Sequence, residues 1–150
     1  MDKNLAESGD FKKQRIEKRV VELINEMRTK GSICGEKNYK PANPVAWNDK
    51  LGKASLHHSL DMARNGFLGH KGYDGSSTKE RLSRIGYKWI TFGENVAEGY
   101  RTTEELVKGW IESTSHCKVI MNPDFKEAGA AYAKSSGKFY WTLILASPER

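Results

Sequence analysis

With 150 residues and a formal net charge of +6 from 25 basic and 19 acidic side chains, the chain has room for one domain with a sizeable core. Its aromatic residues (10%) argue against disorder, and its mixed, scattered charges carry no nucleic-acid motif, which excludes nucleic acid as the expected partner. No apolar run approaches the ~20 residues of a membrane-spanning helix, and the polar start MDKNLAESGD has no signal-peptide pattern, so any leader would lie ahead of Met1.

Residues 1–9 read as a flexible leader and residues 10–150 as a single domain. From Asp10, an N-cap candidate, apolar residues recur at Ile16, Val20, Leu23, Ile24 and Met27, the spacing of an amphipathic helix that Gly31 would stop. Residues 32–47 read as a loop, extended at Pro41 and Pro44, that delivers Val45 and Trp47 to the core. Asn48-Asp49 then caps a second helix with Leu51, Ala54, His58 and Met62 on one stripe, ended by Asn65-Gly66. His57 and His58 lie inside this helix; no thiolate stands at i+4 of either and only Asp61 at i+4 of His57 is acidic, so both read as packed or surface residues.

A glycine-punctuated turn follows from Phe67 to Gly75 and carries His70. Ser77 and Glu80 have the spacing of a capping box, predicting a short helix to about Gly86 with Leu82 and Ile85 inward. Thr102 and Glu105 form a second such pair, ahead of a buried stripe of Leu106, Val107, Trp110 and Ile111. A further turn over Cys117–Met121 stops at Asn122-Pro123. The tail, with small apolar residues to Lys134, a Ser135-Ser136-Gly137 turn and an aromatic, branched run to Ala146, reads as a β-hairpin. Helices first and strands late predict an α+β domain with helices packed on an antiparallel sheet.

The chemistry-bearing stretch is Gly93–Met121. It holds Glu94, Glu112 and His116, and His70 lies in the upstream turn. Brought together, these four would make a cleft of two imidazoles and two carboxylates. Two neutral imidazoles suit a borderline cation such as zinc, with the carboxylates orienting them. They fall one ligand short of the usual catalytic site, and a satisfied polar cluster that only organises loops would use the same residue types. No activated nucleophile is visible, which weighs against an enzyme. Cys34 and Cys117 either form one disulfide in an oxidising compartment or stay as two thiols.

Several segments in order then resemble one family: His58-Ser59-Leu60-Asp61-Met62-Ala63, Asn65 to His70, Asp74-Gly75-Ser76-Ser77, Gly93-Glu94-Asn95-Val96-Ala97, Trp110-Ile111-Glu112-Ser113, His116, Met121-Asn122-Pro123 and Tyr140-Trp141-Thr142. The set is similar to the CAP superfamily of cysteine-rich secretory, antigen-five and pathogenesis-related proteins, and nearest its short bacterial SCP-like branch. The resemblance covers residues 15 to 147. It implies a three-layer α-β-α sandwich with a small antiparallel sheet, and a secreted or surface-attached protein whose signal or lipid anchor lies outside this sequence. It implies a cleft tetrad of His70, Glu94, Glu112 and His116, with His70 and His116 as the ligands of a zinc ion. It also implies a binding or interaction module for a lipid, sterol or host-surface molecule. The alternatives are a metal-assisted hydrolase of peptide or glycan, or a structural surface protein with an idle cleft. Two departures bear on the metal. Ser113-Thr114-Ser115 replaces the Ser-Pro-Gly frequent before the second histidine, and the cationic Lys71 follows His70.

Overall fold

The C-terminal hairpin is the backbone of the sheet. The computed structural model describes the backbone of residues 2–150 and the side chains of residues 11–150. In it β5 (Glu127–Ser135) and β6 (Lys138–Pro148) pair antiparallel from Glu127↔Ala146 to Ser135↔Lys138. The connecting Ser136-Gly137 has φ of 50° and 80°. Positive φ at both positions is what a two-residue hairpin turn requires to match the twist of its strands. β4 (Trp89–Glu98) joins the other side of β6 antiparallel, and the short β3 (Ala46–Trp47) joins β5 in parallel, for an order β3-β5-β6-β4. β4 is therefore an edge strand, and the candidate site forms along it.

Alternation along β6 splits the core into two layers. Trp141, Leu143 and Leu145 enter a cluster built from α1 (Asp2–Lys30), α4 (Thr103–Glu112) and α5 (Thr114–Met121), including Val20, Ile24, Leu106, Trp110 and Ile120. Tyr140, Ile144 and Ala146 point the other way, to α2 (Asp49–Asn65) and α3 (Thr78–Arg84), where they share clusters with Leu51, Met62 and Leu82. The result is the expected α-β-α sandwich. α2 lies very close to the sheet because small residues meet there. A Cβ on Gly129 would sit 2.1 Å from the Gly52 nitrogen. Ser55 and Ser59 donate to the carbonyls of Gly129 and Ala131, both at 3.1 Å.

The expected caps are present. Asn48 accepts the Leu51 N–H, Gly66 closes α2 in the left-handed region (φ 65°), and Ser77 and Glu80 make both bonds of a capping box. Thr102 accepts the Glu105 N–H, but the Glu105 carboxylate bonds the Thr102 hydroxyl instead of its backbone.

Three expectations change. The α1 backbone is helical from Asp2, ahead of the expected cap at Asp10; the leader expected over residues 1–9 otherwise falls among side chains outside the described ones. Ile16 is 37% exposed, while Arg28 on the same helix is fully buried and donates to the carbonyls of Asn43, Ile120, Asn122 and Phe125. The loop after α1 contains a small hairpin, β1 (Ser32–Cys34) with β2 (Lys37–Tyr39). The polar Glu94-Asn95 pair sits inside a ten-residue strand, with both residues buried. The alternative left open for the cysteines is also resolved. Cys34 and Cys117 form a disulfide that ties β1 to α5.

Candidate functional site

β4 sends successive side chains to opposite layers. Glu94, in phase with Val96, faces α2 and α3, whereas Gly93 and Asn95 face α5. Glu94 Oε1 accepts from Nδ1–H of His70 at 2.8 Å, and Oε2 accepts from Arg81 Nη2 at 2.7 Å. Arg81 is buried and held in place by the first turn of α3. It also donates to the Ser76 carbonyl at 3.2 Å and to the Thr78 hydroxyl at 3.1 Å. His70 is the exposed member, presented by the 67–76 turn. That turn is pinned from behind by the fully buried His58, whose Nε2–H donates to the Gly69 carbonyl at 2.6 Å. A carbonyl only accepts, so His58 is the Nε2–H tautomer and its buried Nδ1 has no partner.

From the opposite layer α5 brings His116. Asn95 Nδ2 donates to the His116 carbonyl at 3.0 Å, tying α5 to the strand. The ring Nδ1 of His116 hydrogen-bonds Ser113 Oγ at 2.9 Å. Ser113 is the N-cap of α5, yet its hydroxyl makes no cap bond to the helix backbone.

The electrostatics follow from this packing. Burial alone would push Glu94 up, but the His70 hydrogen bond and the Arg81 charge outweigh it and hold the carboxyl below its usual range. The Glu94 hydrogen bond raises His70. Burial, and then the charge of His70, lowers His116, so the two imidazoles feel each other. Burial dominates at His58 and lowers it.

Of the four residues expected in the cleft, His70 and Glu94 are in direct contact and His116 is electrostatically coupled to His70. Glu112 lies exposed at the end of α4 with no hydrogen bond or ion pair among the described residues. The second charged partner of Glu94 is a cation, Arg81. Its position three residues after Thr78, on the buried face of the capped α3 beside Leu82, was a helical-phase signal that it points inward. Lys71, beside His70, is exposed.

The donor set allows a test of the metal idea. With both Nδ1 atoms engaged, by Glu94 and Ser113, each imidazole has its Nε2 left to face a metal while the Nδ1 bond fixes the ring's orientation. Among the described residues no three His, Cys, Asp or Glu side chains are grouped to hold an ion. Arg81 also offsets the charge of Glu94. Two imidazoles with unengaged Nε2 atoms are fewer donors than a three-ligand zinc centre uses.

The comparisons agree with this architecture. The model of the CAP, or cysteine-rich secretory protein, family matches residues 21–145. The uncharacterized protein YkwD of Bacillus subtilis (strain 168) is 32% identical over 139 residues, 93% of this chain, and the chain spans 50% of YkwD's own length. An extracellular SCP-domain protein from Bacillus anthracis superposes with a TM-score of 0.77 at 22% identity, over 90% of this chain and 41% of that one. An outer surface protein from Borrelia burgdorferi gives 0.76 at 19% identity, over 88% of this chain and 92% of that one. At these identities the two structures bear on the fold alone. With the family model spanning most of the sequence and the sandwich formed as expected, the chain belongs to the cysteine-rich secretory protein (CAP) family.

Proposed function

We propose that this is a secreted or surface-exposed binding module, not an enzyme, whose cleft takes a divalent metal weakly through His70 and His116 and whose ligand is lipid-like. The observation that carries the non-catalytic reading is the state of Glu94. Each of its oxygens accepts a charge-assisted hydrogen bond, one from His70 and one from Arg81, and these hold the carboxyl below its usual range, which makes it a poor base toward a substrate water. An extracellular setting is supported by the buried Cys34–Cys117 disulfide, since such bonds persist in oxidising compartments. The names of the Bacillus anthracis and Borrelia relatives, an extracellular and an outer surface protein, point the same way. Among the described residues no helix is long and apolar enough to cross a membrane.

The lipid-like ligand is supported by a trough of about 630 Å3 beside α1, where Ile16 lies among Lys12, Arg15, Lys18 and Arg19, with one acid, Glu22, paired to Arg19. An exposed apolar side chain rimmed by cations suits an acidic amphiphile. Titration calorimetry with zinc and a fatty-acid binding assay test the two parts separately. The expected results are zinc heat in the parent that is absent from the His70→Ala/His116→Ala variant, and fatty-acid binding above a control protein. Absence of zinc heat in the parent overturns the metal reading, and fatty-acid binding no better than the control overturns the lipid reading.

A second reading, a hydrolase, is favoured by one contact. Ser113 Oγ lies 2.9 Å from His116 Nδ1, and burial keeps that imidazole neutral to lower pH. It predicts labelling of Ser113 by a fluorophosphonate, lost in Ser113→Ala. No labelling of the parent removes it.

A further inference from the structure

A separate groove lies on the α5 face of β4, the side opposite Arg81. It has a volume of about 390 Å3 and is lined by Lys37, Tyr39, Phe92, Lys118, Val119 and Pro123 among others. This is within the ~300–1,000 Å3 range of small-molecule sites. Its strand wall is trimmed to backbone, because a Cβ on Gly93 would lie 3.1 Å from both Phe125 and Val119.

The charges in this groove are one-sided. No carboxylate is among its lining groups; Glu36 and Asp124, neighbours in sequence, are not part of the lining. Neither Lys37 nor Lys118 has an ion-pair partner among the described residues. Lys37 Nζ sits 4.7 Å from the centre of the Tyr39 ring, which fixes that ammonium beside an aromatic wall. Asn122 adds a further donor, since its Oδ1 accepts the Asp124 N–H and its Nδ2 is left over.

The two cationic walls are also joined covalently. Lys37 is the cross-strand partner of Cys34, and Lys118 directly follows Cys117. The disulfide holds the Cα atoms of these cysteines 5.4 Å apart. The hairpin and α5 are thus prevented from separating, so the lysines do not have to be gathered when a ligand arrives, which lowers the ordering cost of binding.

We propose that this groove is a preorganised site for a small aromatic anion, one ring bearing a single phosphate or carboxylate. The anion bridges Lys37 and Lys118, and the ring packs on Tyr39. Charge-assisted bonds to two ammonium groups supply the head-group recognition, and offset stacking supplies the preference for a ring. The site is separate from the histidine cleft and does not depend on a metal there.

The test is amide chemical-shift mapping of the whole chain in the presence of EDTA, which removes metal-mediated anion binding. The probes are phenyl phosphate, benzoate and the neutral benzyl alcohol. The expected result is saturable shifts centred on Lys37, Tyr39, Lys118 and Val119 for one or both anions, with benzyl alcohol at least about tenfold weaker. Lys37→Glu and Lys118→Glu should each weaken the anion at least about tenfold, while Lys118→Arg keeps it within about threefold. Both lysines are exposed, so spectra of the variants should stay dispersed. Shifts that do not saturate, that map elsewhere, that match benzyl alcohol, or that survive both charge reversals overturn the proposal. Binding of phenyl phosphate alone or benzoate alone supports it and assigns the head group.

Discussion

The guanidinium of Arg81 lies 2.7 Å from Oε2 of Glu94, and the two side chains are 8% and 2% exposed. This pair accounts for much of what the cleft can and cannot do. It neutralises a carboxylate that would otherwise attract a cation, and it leaves His70 to take the other oxygen. A buried pair of this kind is weak evidence of net stability, but removing one partner leaves an uncompensated charge. Arg81→Met is expected to cost about 3–5 kcal/mol in urea unfolding, and Arg81→Met/Glu94→Leu should recover at least half of that. A single variant as stable as the parent would show that the pair is solvated and open in solution.

The histidines should titrate in opposite directions. NMR titration is expected to place His70 above the ordinary imidazole value and His116 below it, with Glu94→Gln moving His70 back toward ordinary. The stability linked to His70 is fully present below the unfolded value of ~6.5 and is lost as pH rises through its raised folded value. An unchanged His70 titration in Glu94→Gln would contradict the hydrogen bond as its cause.

His58 works in the reverse sense. Its folded value is lowered, chiefly by burial. Arg81 lowers it further, and Glu94, the Gly69 carbonyl and Asp61 work against that. Its contribution is present above ~6.5 and is lost as pH falls toward the lowered value. The melting temperature of the parent should therefore fall more steeply than that of His58→Gln between about pH 7 and about pH 5. Parallel pH profiles for the two proteins would mean that His58 is not buried neutral in solution.

The approach of α2 to the sheet leaves no room for a side chain at Gly129. Gly129→Ala is expected to cost about 3 kcal/mol or more, at or above the usual overpacking range, because the obstacle is backbone and not a movable side chain. Denaturant unfolding measures it, and a loss under about 1 kcal/mol would show that the helix can lift away.

The disulfide closes a sequence separation of 83 residues. Cys34→Ser/Cys117→Ser is expected to lower stability by about 2–5 kcal/mol while leaving the secondary structure formed, since α5 keeps its packing through Ile120 and Met121. Circular dichroism and thermal unfolding together check both halves. A melting temperature equal to the parent's would mean that the link adds nothing to the fold.

The sequence alone determined the parts of this protein that are local or periodic. Asn48, Gly66, Ser77 and Thr102 mark helix ends because their side chains, or the lack of one, satisfy nearby backbone groups. The stripe Leu51, Ala54, His58 and Met62 is buried as a helical repeat implies, and the ordered motifs identified the family. Tertiary structure decided the rest, because it depends on residues far apart in the chain. Nothing local marked Glu94 and Asn95 for burial; both layers cover the strand, and His70, Arg81 and α5 supply their partners. Nothing local marked Arg28 for burial, yet four distant carbonyls surround it. Nothing local distinguished two thiols from the bond that Cys34 and Cys117 form. Equally, nothing local showed that Arg81 would reach Glu94 across the fold. Local signals of this kind are set by the chain's own backbone, whereas the partner of a buried charge is set by which elements the fold brings against it.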